Sequence, residues 1–237
     1  MRAADTRVDH APPRITRGPD AALGAALPAT IVRRARHHHD NVRRIGNDGA
    51  AHYMARLQAH RALFNRLELL ASEVAEAAAT VAHAMQQGSK LMICGNGGSA
   101  ADCQHIAAEF TGRFVAERRP LAAIALTTDS SALTCIGNDY GFDEVFARQV
   151  AALARPGDVL LGISTSGRSP NVLRAFDAAR EAGTTTIALC GRDGGALLHV
   201  ADLAIVVPSE STADIQEAHI FVGHTICALV EHELGLA

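Results

Sequence analysis

The segment QHIAAEF places an imidazole and a carboxylate at a spacing at which both can act on one ligand. His105 and Glu109 are four residues apart, so on a helix they share one face. The pair suits two kinds of chemistry: both side chains can bind a divalent metal ion, or Glu109 can act as a base beside an imidazole. Such a pair is also a common surface arrangement, so the spacing alone leaves its role open.

A second polar group stands among apolar residues near the C-terminus, in IQEAHIFVGH. His224 is expected to be buried, either as a core histidine with a backbone partner or as part of a site. Gln216 lies eight residues earlier, about 12 Å along a helix axis, so sharing one metal with His224 would need the side chains to lean together or the helix to bend. Glu231 and His232, close to the chain end, are expected to be solvated.

The segment CGNGGSAAD is a glycine-rich turn into a helix. Gly97 and Gly98 allow a sharp turn and a close approach to a ligand, next to Asn96. Ser99 is predicted to be the N-cap, with Asp102 in a capping-box position, and the N–H groups of this helix start would attract an anion or a hydroxyl. The partial match to a dinucleotide motif is weak because no acidic residue ends a strand about twenty residues on. A ligand-free turn is the alternative.

A second loop, ISTSGRSP, suits a phosphate. Gly167 allows a tight bend, and Ser169 followed by Pro170 reads as the N-cap and first residue of a helix. Hydroxyl groups and a helix N-terminus can hold a phosphate with little fixed charge. The absence of a Walker lysine disfavours nucleoside triphosphate hydrolysis. The hydroxyls belong to Ser164, Thr165, Ser166 and Ser169.

A third polar segment, GNDYGF, contains Asn138 and Asp139 and predicts a sharp turn. These side chains either serve the turn itself or form hydrogen bonds with the hydroxyls of a sugar.

The elements that must position these groups form an α/β pattern. Continuous apolar runs alternating with helical segments predict a parallel sheet with helices on both faces, whose ligands bind at the carboxyl ends of the strands. The predicted strands are KLMIC, LAAIAL, DVLLGIS, TTTIALC and DLAIVVP, and the predicted helices are 99–112, 143–154, 170–182 and 213–234.

The chain is predicted to divide near residue 50. Residues 1–50 contain four prolines, an arginine-rich stretch and a run of three histidines, and are predicted to be a poorly ordered extension. A contact arm for nucleic acid or membrane remains an alternative for them. Residues 51–237 are the folded domain, and its first part, from about 52 to Gln87, has the helical period and is predicted to form one or two helices ending at Gly88.

Composition narrows the functional class. A net charge of -3 and an aromatic content of 4% disfavour a nucleic-acid partner, and no apolar run is long enough to cross a membrane. Five cysteines without a CxxC pair indicate a reducing compartment, so a cytoplasmic protein is expected.

Taken in order, the motifs GNGGSAAD, QHIAAEF, GNDYGF, GDVLLGISTSGRSPNV and IQEAHIFVGH resemble the phosphoheptose isomerases of the sugar-isomerase (SIS) domain family, over about residues 52–237. The resemblance implies a flavodoxin-like three-layer sandwich with a five-stranded parallel sheet and additional N-terminal helices. It also implies an aldose–ketose isomerase that converts sedoheptulose 7-phosphate to D-glycero-D-manno-heptose 7-phosphate through an enediol, at the start of nucleotide-activated heptose biosynthesis.

The same resemblance implies roles for individual residues. Glu109 and His224 would be the acid–base pair, and one zinc ion per subunit would be held by His105, Glu109, Gln216 and His224. The protein would be a homotetramer with active sites between subunits, and Asp214 is in doubt as a substrate contact. The substrate would contact Asn96, Gly97, Gly98, Glu109, Asn138, Asp139, Ser164, Thr165, Ser166, Ser169 and Gln216.

Two other classes compete with the isomerase. One is a related non-catalytic adaptor that binds the bacterial replication initiator, in which the positions of Glu109 and His224 do not keep the catalytic residue types. The other is a regulatory module that senses a sugar phosphate, for which the set of His105, Glu109 and His224 would be unnecessary. The retained Glu, His and NGGS favour the enzyme.

Overall fold

The structure is a computed structural model that describes residues 29–237, with side chains from residue 48 onward. Residues 1–28 of the predicted extension, and the side chains of its histidine run, lie outside the described residues. A helix begins at Ala29, and residues Met54–Ala237 form one compact unit. The predicted division of the chain near residue 50 stays a prediction.

The predicted parallel sheet is confirmed. It has five strands, all parallel, in the order β2-β1-β3-β4-β5, which is the flavodoxin-like order. Every residue of β1 and β3 is buried, as expected for central strands covered on both faces. The strands are β1 (Leu91–Gly95), β2 (Ala123–Ala125), β3 (Val159–Ser164), β4 (Thr185–Gly191) and β5 (Leu203–Val207).

The described part of the chain contains eight α-helices. They are α1 (Ala29–Arg66), α2 (Ala71–Gln86), α3 (Gly98–Thr111), α4 (Ser130–Tyr140), α5 (Ala147–Leu153), α6 (Pro170–Glu181), α7 (Leu197–Val200) and α8 (Thr212–Glu233), with short 3₁₀ turns at Leu67–Leu70 and Phe142–Glu144. The four predicted helices after the first strand correspond to α3, α5, α6 and α8, and α2 ends just before Gly88, as predicted.

The two faces of the sheet bury separate apolar layers. Ile93 and Leu161 pack on the side of α2, α3 and α8, whereas Met92 and Leu160 pack on the side of α5 and α6. Because side chains alternate along a strand, these neighbours point to opposite faces. The layer with α3 and α8 is the one whose helices carry the His-Glu pair and His224.

Two local predictions are wrong. The N-cap of α3 is Gly97, with φ of 57°, and Ser99 is buried inside the first turn, so the predicted capping box is absent. The turn predicted at Asn138 and Asp139 is instead the last turn of α4, and the chain reverses at Gly141, with φ of 94°. Asp129 starts that helix by accepting a hydrogen bond from the Ala132 N–H at 2.9 Å, a cap that sequence reasoning passed over.

No helix within residues 29–237 combines the length and the apolar character that crossing a bilayer requires.

Candidate functional site

A polar cleft opens where the carboxyl ends of β1 and β3 meet. These neighbouring strands lead to helices on opposite faces of the sheet, which is the switch point at which α/β proteins bind ligands. The cleft has a volume of about 80 Å³. It is lined by Asn96, Ser99, Ile163, Ser164, Thr165, Ser169 and Gln216.

Hydrogen bonds within the serine-rich loop, and from the glycine-rich loop to α6, shape this cleft. The hydroxyls of Ser164 and Ser169 lie 2.9 Å apart across the serine-rich loop. Ser169 is the N-cap of α6 and Pro170 follows it, as predicted, but the Ser169 side chain bonds to Ser164 and does not cap the helix. Asn96 exchanges two amide hydrogen bonds with Asn171, at 2.8 and 2.9 Å, which ties the glycine-rich loop to the start of α6. Sequence reasoning missed Asn171.

Gln216 enters the cleft because a glycine faces it. A Cβ atom at Gly98 would collide with the Gln216 side-chain amide, so glycine at this position leaves room for that amide in the cleft. Gln216 therefore lies with Asn96 and the serine loop. Its predicted role as a substrate contact fits this place, whereas its role as a metal ligand stays a prediction.

The serine loop rests on a second glycine-rich loop, which follows β4. Gly167 has φ of 63°, and a Cβ atom there would lie 2.9 Å from the Gly195 nitrogen. The Leu197 N–H donates to the Gly167 carbonyl at 3.0 Å, and Arg168 pairs with Asp193 at 2.5 Å. The hydrogen bond from Arg168 lowers the pKa of Asp193 to about 2. Sequence reasoning missed this support, although the Gly-Gly pair directly after a strand was a usable signal.

The second part of the site is the group His105, Glu109 and His224, whose ligand atoms all lie within 4.8 Å of one another. The two histidine Nε2 atoms face each other at 2.9 Å, and Glu109 Oε1 lies 3.3 Å from His105 Nε2. Two N–H groups cannot face each other at that distance, so at least one imidazole presents a lone pair. Two imidazoles and a carboxylate are the donor set of catalytic zinc sites, so these residues fit a zinc ion.

Asp102 lies beside this group. Burial raises the pKa of Asp102, while the charges of His105 and His224 act in the opposite direction. Its Oδ2 atom is buried without a hydrogen-bond partner among the described residues. Asp102 precedes His105 by three residues, so it lies on the same side of α3.

The cleft and the group of His105, Glu109 and His224 lie at different positions along the axis of α3. Ser99 lines the cleft and Glu109 follows it by ten residues, about 15 Å along the helix axis. On α8, Gln216 and His224 are separated by about 12 Å for the same reason. A single chain therefore places its phosphate-type loop and its acid–base group well apart.

The remaining predicted residues lie outside the cleft lining. Asn138 and Asp139 are exposed at the end of α4, where Asn138 Nδ2 donates to Asp139 Oδ1 at 2.7 Å. Ser166 is half-buried in the serine loop, and its hydroxyl accepts from the Arg168 N–H at 3.2 Å. Substrate contacts by these residues stay predictions. Asp214 forms an ion pair with Arg56, which gives it a partner within the chain.

Two expectations about α8 are corrected by its packing. The buried histidine with a backbone partner is His219, which donates from Nε2 to the Cys190 carbonyl at 3.0 Å, and burial lowers its pKa to about 4. His224 is only half-buried and faces His105. Glu231 was expected to be solvated, yet its side chain is 1% exposed and pairs with Arg118 at 2.7 Å. The segment between α3 and β2 covers it.

Comparisons with known proteins identify the family of this chain. The family model described as SIS domain matches residues 52–191. A phosphoheptose isomerase from Solidesulfovibrio magneticus is 56% identical, over 72% of this chain and 92% of its own, and one from Pelobacter propionicus is 57% identical, over 75% and 95%. The solved phosphoheptose isomerase of Neisseria gonorrhoeae is 46% identical with a TM-score of 0.71, over 79% of this chain and 99% of that one.

An SIS domain with a hydroxyl-lined cleft at its switch point defines the class, and the chain belongs to this family of sugar isomerases, within its phosphoheptose isomerase branch. The prediction of an isomerase is thereby confirmed.

Proposed function

We propose that this chain interconverts sedoheptulose 7-phosphate and D-glycero-D-manno-heptose 7-phosphate, the first step of nucleotide-activated heptose biosynthesis. The observation that carries the proposal is the pairing of a hydroxyl-lined cleft at the switch point with an accessible carboxylate–imidazole group on the helices that flank it. A sugar phosphate has one anionic end and one carbonyl end, so it needs both features.

The serine loop holds the phosphate in this proposal. Ser164, Thr165 and Ser169 present hydroxyls at the N-terminus of α6, where the backbone N–H groups and the helix dipole favour an anion. Ser166 stands in the same loop and would turn its hydroxyl to a phosphate oxygen. Asn96, Gly97, Gly98 and Gln216 would contact the sugar, as would Asn138 and Asp139.

Glu109 and His224 carry the proton transfers. Glu109 removes the proton from C1 of the ketose, which gives an enediol, and returns it to C2, while His224 moves a proton between the oxygens on C1 and C2. No atom is gained or lost, as an isomerisation requires. The Glu109 side chain is 22% exposed, so a substrate can reach it.

Zinc is the metal that the donor set fits best. His105, Glu109 and His224 would hold it. Gln216 is the proposed fourth ligand on the condition that its side chain and that of His224, about 12 Å apart along α8, lean together. When bound, zinc supplies a positive charge that polarises a carbonyl oxygen and stabilises developing negative charge. A carboxylate bound tightly to zinc would be a weaker base, so Glu109 would serve best as the base with a loose bond to the metal.

We propose a homotetramer with active sites between subunits, and two features of the described residues support contacts between subunits. The cleft of about 80 Å³ is smaller than the roughly 300–1,000 Å³ of small-molecule sites, so a single chain does not enclose the substrate. An apolar groove of about 440 Å³ between the end of α1, α2 and α8 supports a subunit contact, and it exposes Phe221 to 47%. Leu69, which precedes α2, is 76% exposed.

A cytoplasmic location is proposed on the state of the cysteines. All five are free thiols, and burial raises the pKa of Cys94 and Cys190 to about 12. Free cysteines in this number suit a reducing compartment. Fractionation of the producing cell tests this, and recovery in a periplasmic or secreted fraction would contradict it.

The function is tested by following sedoheptulose 7-phosphate with the purified, zinc-supplied protein, with and without a chelator. We expect formation of an aldoheptose 7-phosphate that falls at least tenfold on chelation and returns with added zinc, because a bound zinc ion would supply the positive charge that polarises the carbonyl. If the chelator does not change the rate of conversion, the isomerase activity is supported and the proposal of a zinc ion is contradicted. No conversion by the folded protein would favour the non-catalytic adaptor.

Replacing Ser166 with Ala is expected to raise KM about tenfold with kcat changed by less than about threefold, because a hydrogen bond to a charged phosphate is lost in both ground state and transition state. Steady-state kinetics measure this, and Ser72→Ala, an exposed serine on α2, is the matched control. An unchanged KM would remove Ser166 from the phosphate site.

A further inference from the structure

One buried ion pair lies outside the groups that the mechanism uses. Arg118 Nε and Glu231 Oε1 are 2.7 Å apart, and the two side chains are only 2% and 1% exposed. A buried pair costs desolvation energy, so its hydrogen bonds to surrounding groups decide what it contributes. Here those hydrogen bonds lead to the helix end beside Glu109 and to the ring beside His224.

Arg118 satisfies the C-terminal end of α3. Its Nη2 donates to the Glu109 carbonyl at 2.7 Å, and its Nη1 donates to the carbonyls of Phe110 and Gly112 at 2.8 and 3.0 Å. The last carbonyls of a helix have no partner inside the helix, and a cation there also favours the dipole. Arg118 thus holds the last turn of α3 at Glu109, the proposed base.

Glu231 fixes the segment that follows α3. Its carboxylate accepts from the backbone N–H groups of Phe114, Val115 and Ala116 at 3.1, 3.4 and 3.4 Å. Burial opposes ionisation of Glu231, but these hydrogen bonds and the one from Arg118 outweigh it and hold its pKa below the usual range. The carboxylate is therefore charged, and it anchors residues 114–116 to α8.

Phe114 transmits this anchor to the site. Its ring centroid lies 5.3 Å from that of His224, with 32° between the ring planes. His224 and Glu231 are seven residues apart on α8, two turns along the same face. The segment that Glu231 holds therefore places Phe114 against the imidazole of His224, two helical turns before Glu231 on α8.

We propose that the Arg118–Glu231 pair is a positioning device that holds Glu109 and, through Phe114, His224 in the geometry for proton transfer. The proposal rests on the proposed function for its kinetic meaning. Its structural part, the orientation of His224, can be measured without turnover.

The test uses Glu231→Gln and Arg118→Lys in the full-length protein. We expect kcat to fall about 10- to 100-fold with KM within about twofold, because supports behind a site residue act on the chemistry and the phosphate loop is untouched. The imidazole C–H signal of His224 in the NMR spectrum, assigned with His224→Gln, is expected to shift in both variants, since the ring current of Phe114 changes.

Asp158→Asn is the matched control. Asp158 is also a buried carboxylate, paired with Lys90, that accepts from the Lys90 and Arg155 backbone N–H groups at 2.9 and 2.8 Å, but at the amino ends of β1 and β3. It should lower thermal stability and leave kcat and the His224 signal unchanged. An equal loss of kcat in Asp158→Asn, or unchanged kcat in both Glu231→Gln and Arg118→Lys, would overturn the proposal.

Phe114→Leu tests the proposal even if an ion-pair variant fails to fold, since this substitution leaves the buried Arg118–Glu231 pair intact. It should shift the His224 signal and lower kcat about tenfold; a wild-type kcat with a shifted signal would overturn the proposal. If the wild-type protein itself converts no substrate, the proposed function fails, and the NMR shifts alone decide whether the pair orients His224.

Discussion

Glu109→Gln is expected to lower kcat by about 10³-fold, because the amide keeps the shape of the side chain and cannot take a proton from carbon. Glu109 is the accessible carboxylate of the group with His105 and His224, so no other described carboxylate in that group can replace it. The variant should also stop exchange of substrate C–H protons with heavy water, which depends on the same proton removal. Kinetics and mass spectrometry in heavy water measure the two effects.

The control for this variant is Glu181→Gln, the same substitution at the exposed end of α6 and away from the carboxyl ends of the strands. It should keep wild-type kcat. Bound zinc and native mass are measured for Glu109→Gln, because Gln can still offer a ligand oxygen. A folded, zinc-loaded Glu109→Gln protein with normal kcat and normal proton exchange would remove Glu109 as the base.

The sheet was predictable because its signal is local. Each central strand is a continuous apolar run, such as LMICG in β1, and each run is closed by glycine or serine at the ligand edge. Helix α4 was missed because SSALTCIGNDY mixes β-branched residues, Gly and Asn-Asp, which favour turns when read alone. The cap at Asp129 and packing of Leu133 and Ile136 against the layer with α5 and α6 override that preference.

The parts of the site that lie within a single sequence motif could be predicted. The contacts between segments that are distant in sequence could not. The serine loop and the glycine-rich loop could be assigned from their own residues. The Asn96–Asn171 hydrogen bonds and the packing of Gly167 on Gly195 join segments far apart in sequence. No pattern within either segment predicts these contacts.

Burial of charged residues was the hardest feature to predict. Glu231 lies two residues before the end of α8, where a solvated side chain is the ordinary expectation. It is buried only because residues 114–116 fold over it, and their N–H groups compensate its charge. His219 and His224 show the same limit: both stand among apolar residues, yet packing alone decides that one serves a backbone carbonyl and the other faces His105.

The separation of the two parts of the site predicts cooperation between subunits. Along one α3 helix, Ser99 at the cleft and Glu109 are about 15 Å apart, whereas a neighbouring chain could bring its own Glu109 beside the cleft. We expect that Glu109→Gln and the double variant Ser164→Ala/Ser166→Ala, each nearly inactive alone at substrate concentrations far below KM, regain activity under those conditions when their subunits are exchanged. In random tetramers about a quarter of composite sites would combine an intact loop with an intact Glu109.

The matched control is an exchange of Glu109→Gln with His224→Gln subunits. Both lesions fall on one group whose members touch within a single chain, so this mixture should stay inactive whether or not sites are shared. Native mass spectrometry verifies that mixed tetramers form in both experiments. Activity near a quarter of wild type in the first mixture alone would place the phosphate loop and the base of each site on different chains. Inactivity of verified mixed tetramers in both would mean that each chain builds its own complete site, and that the substrate bridges the two parts along α3.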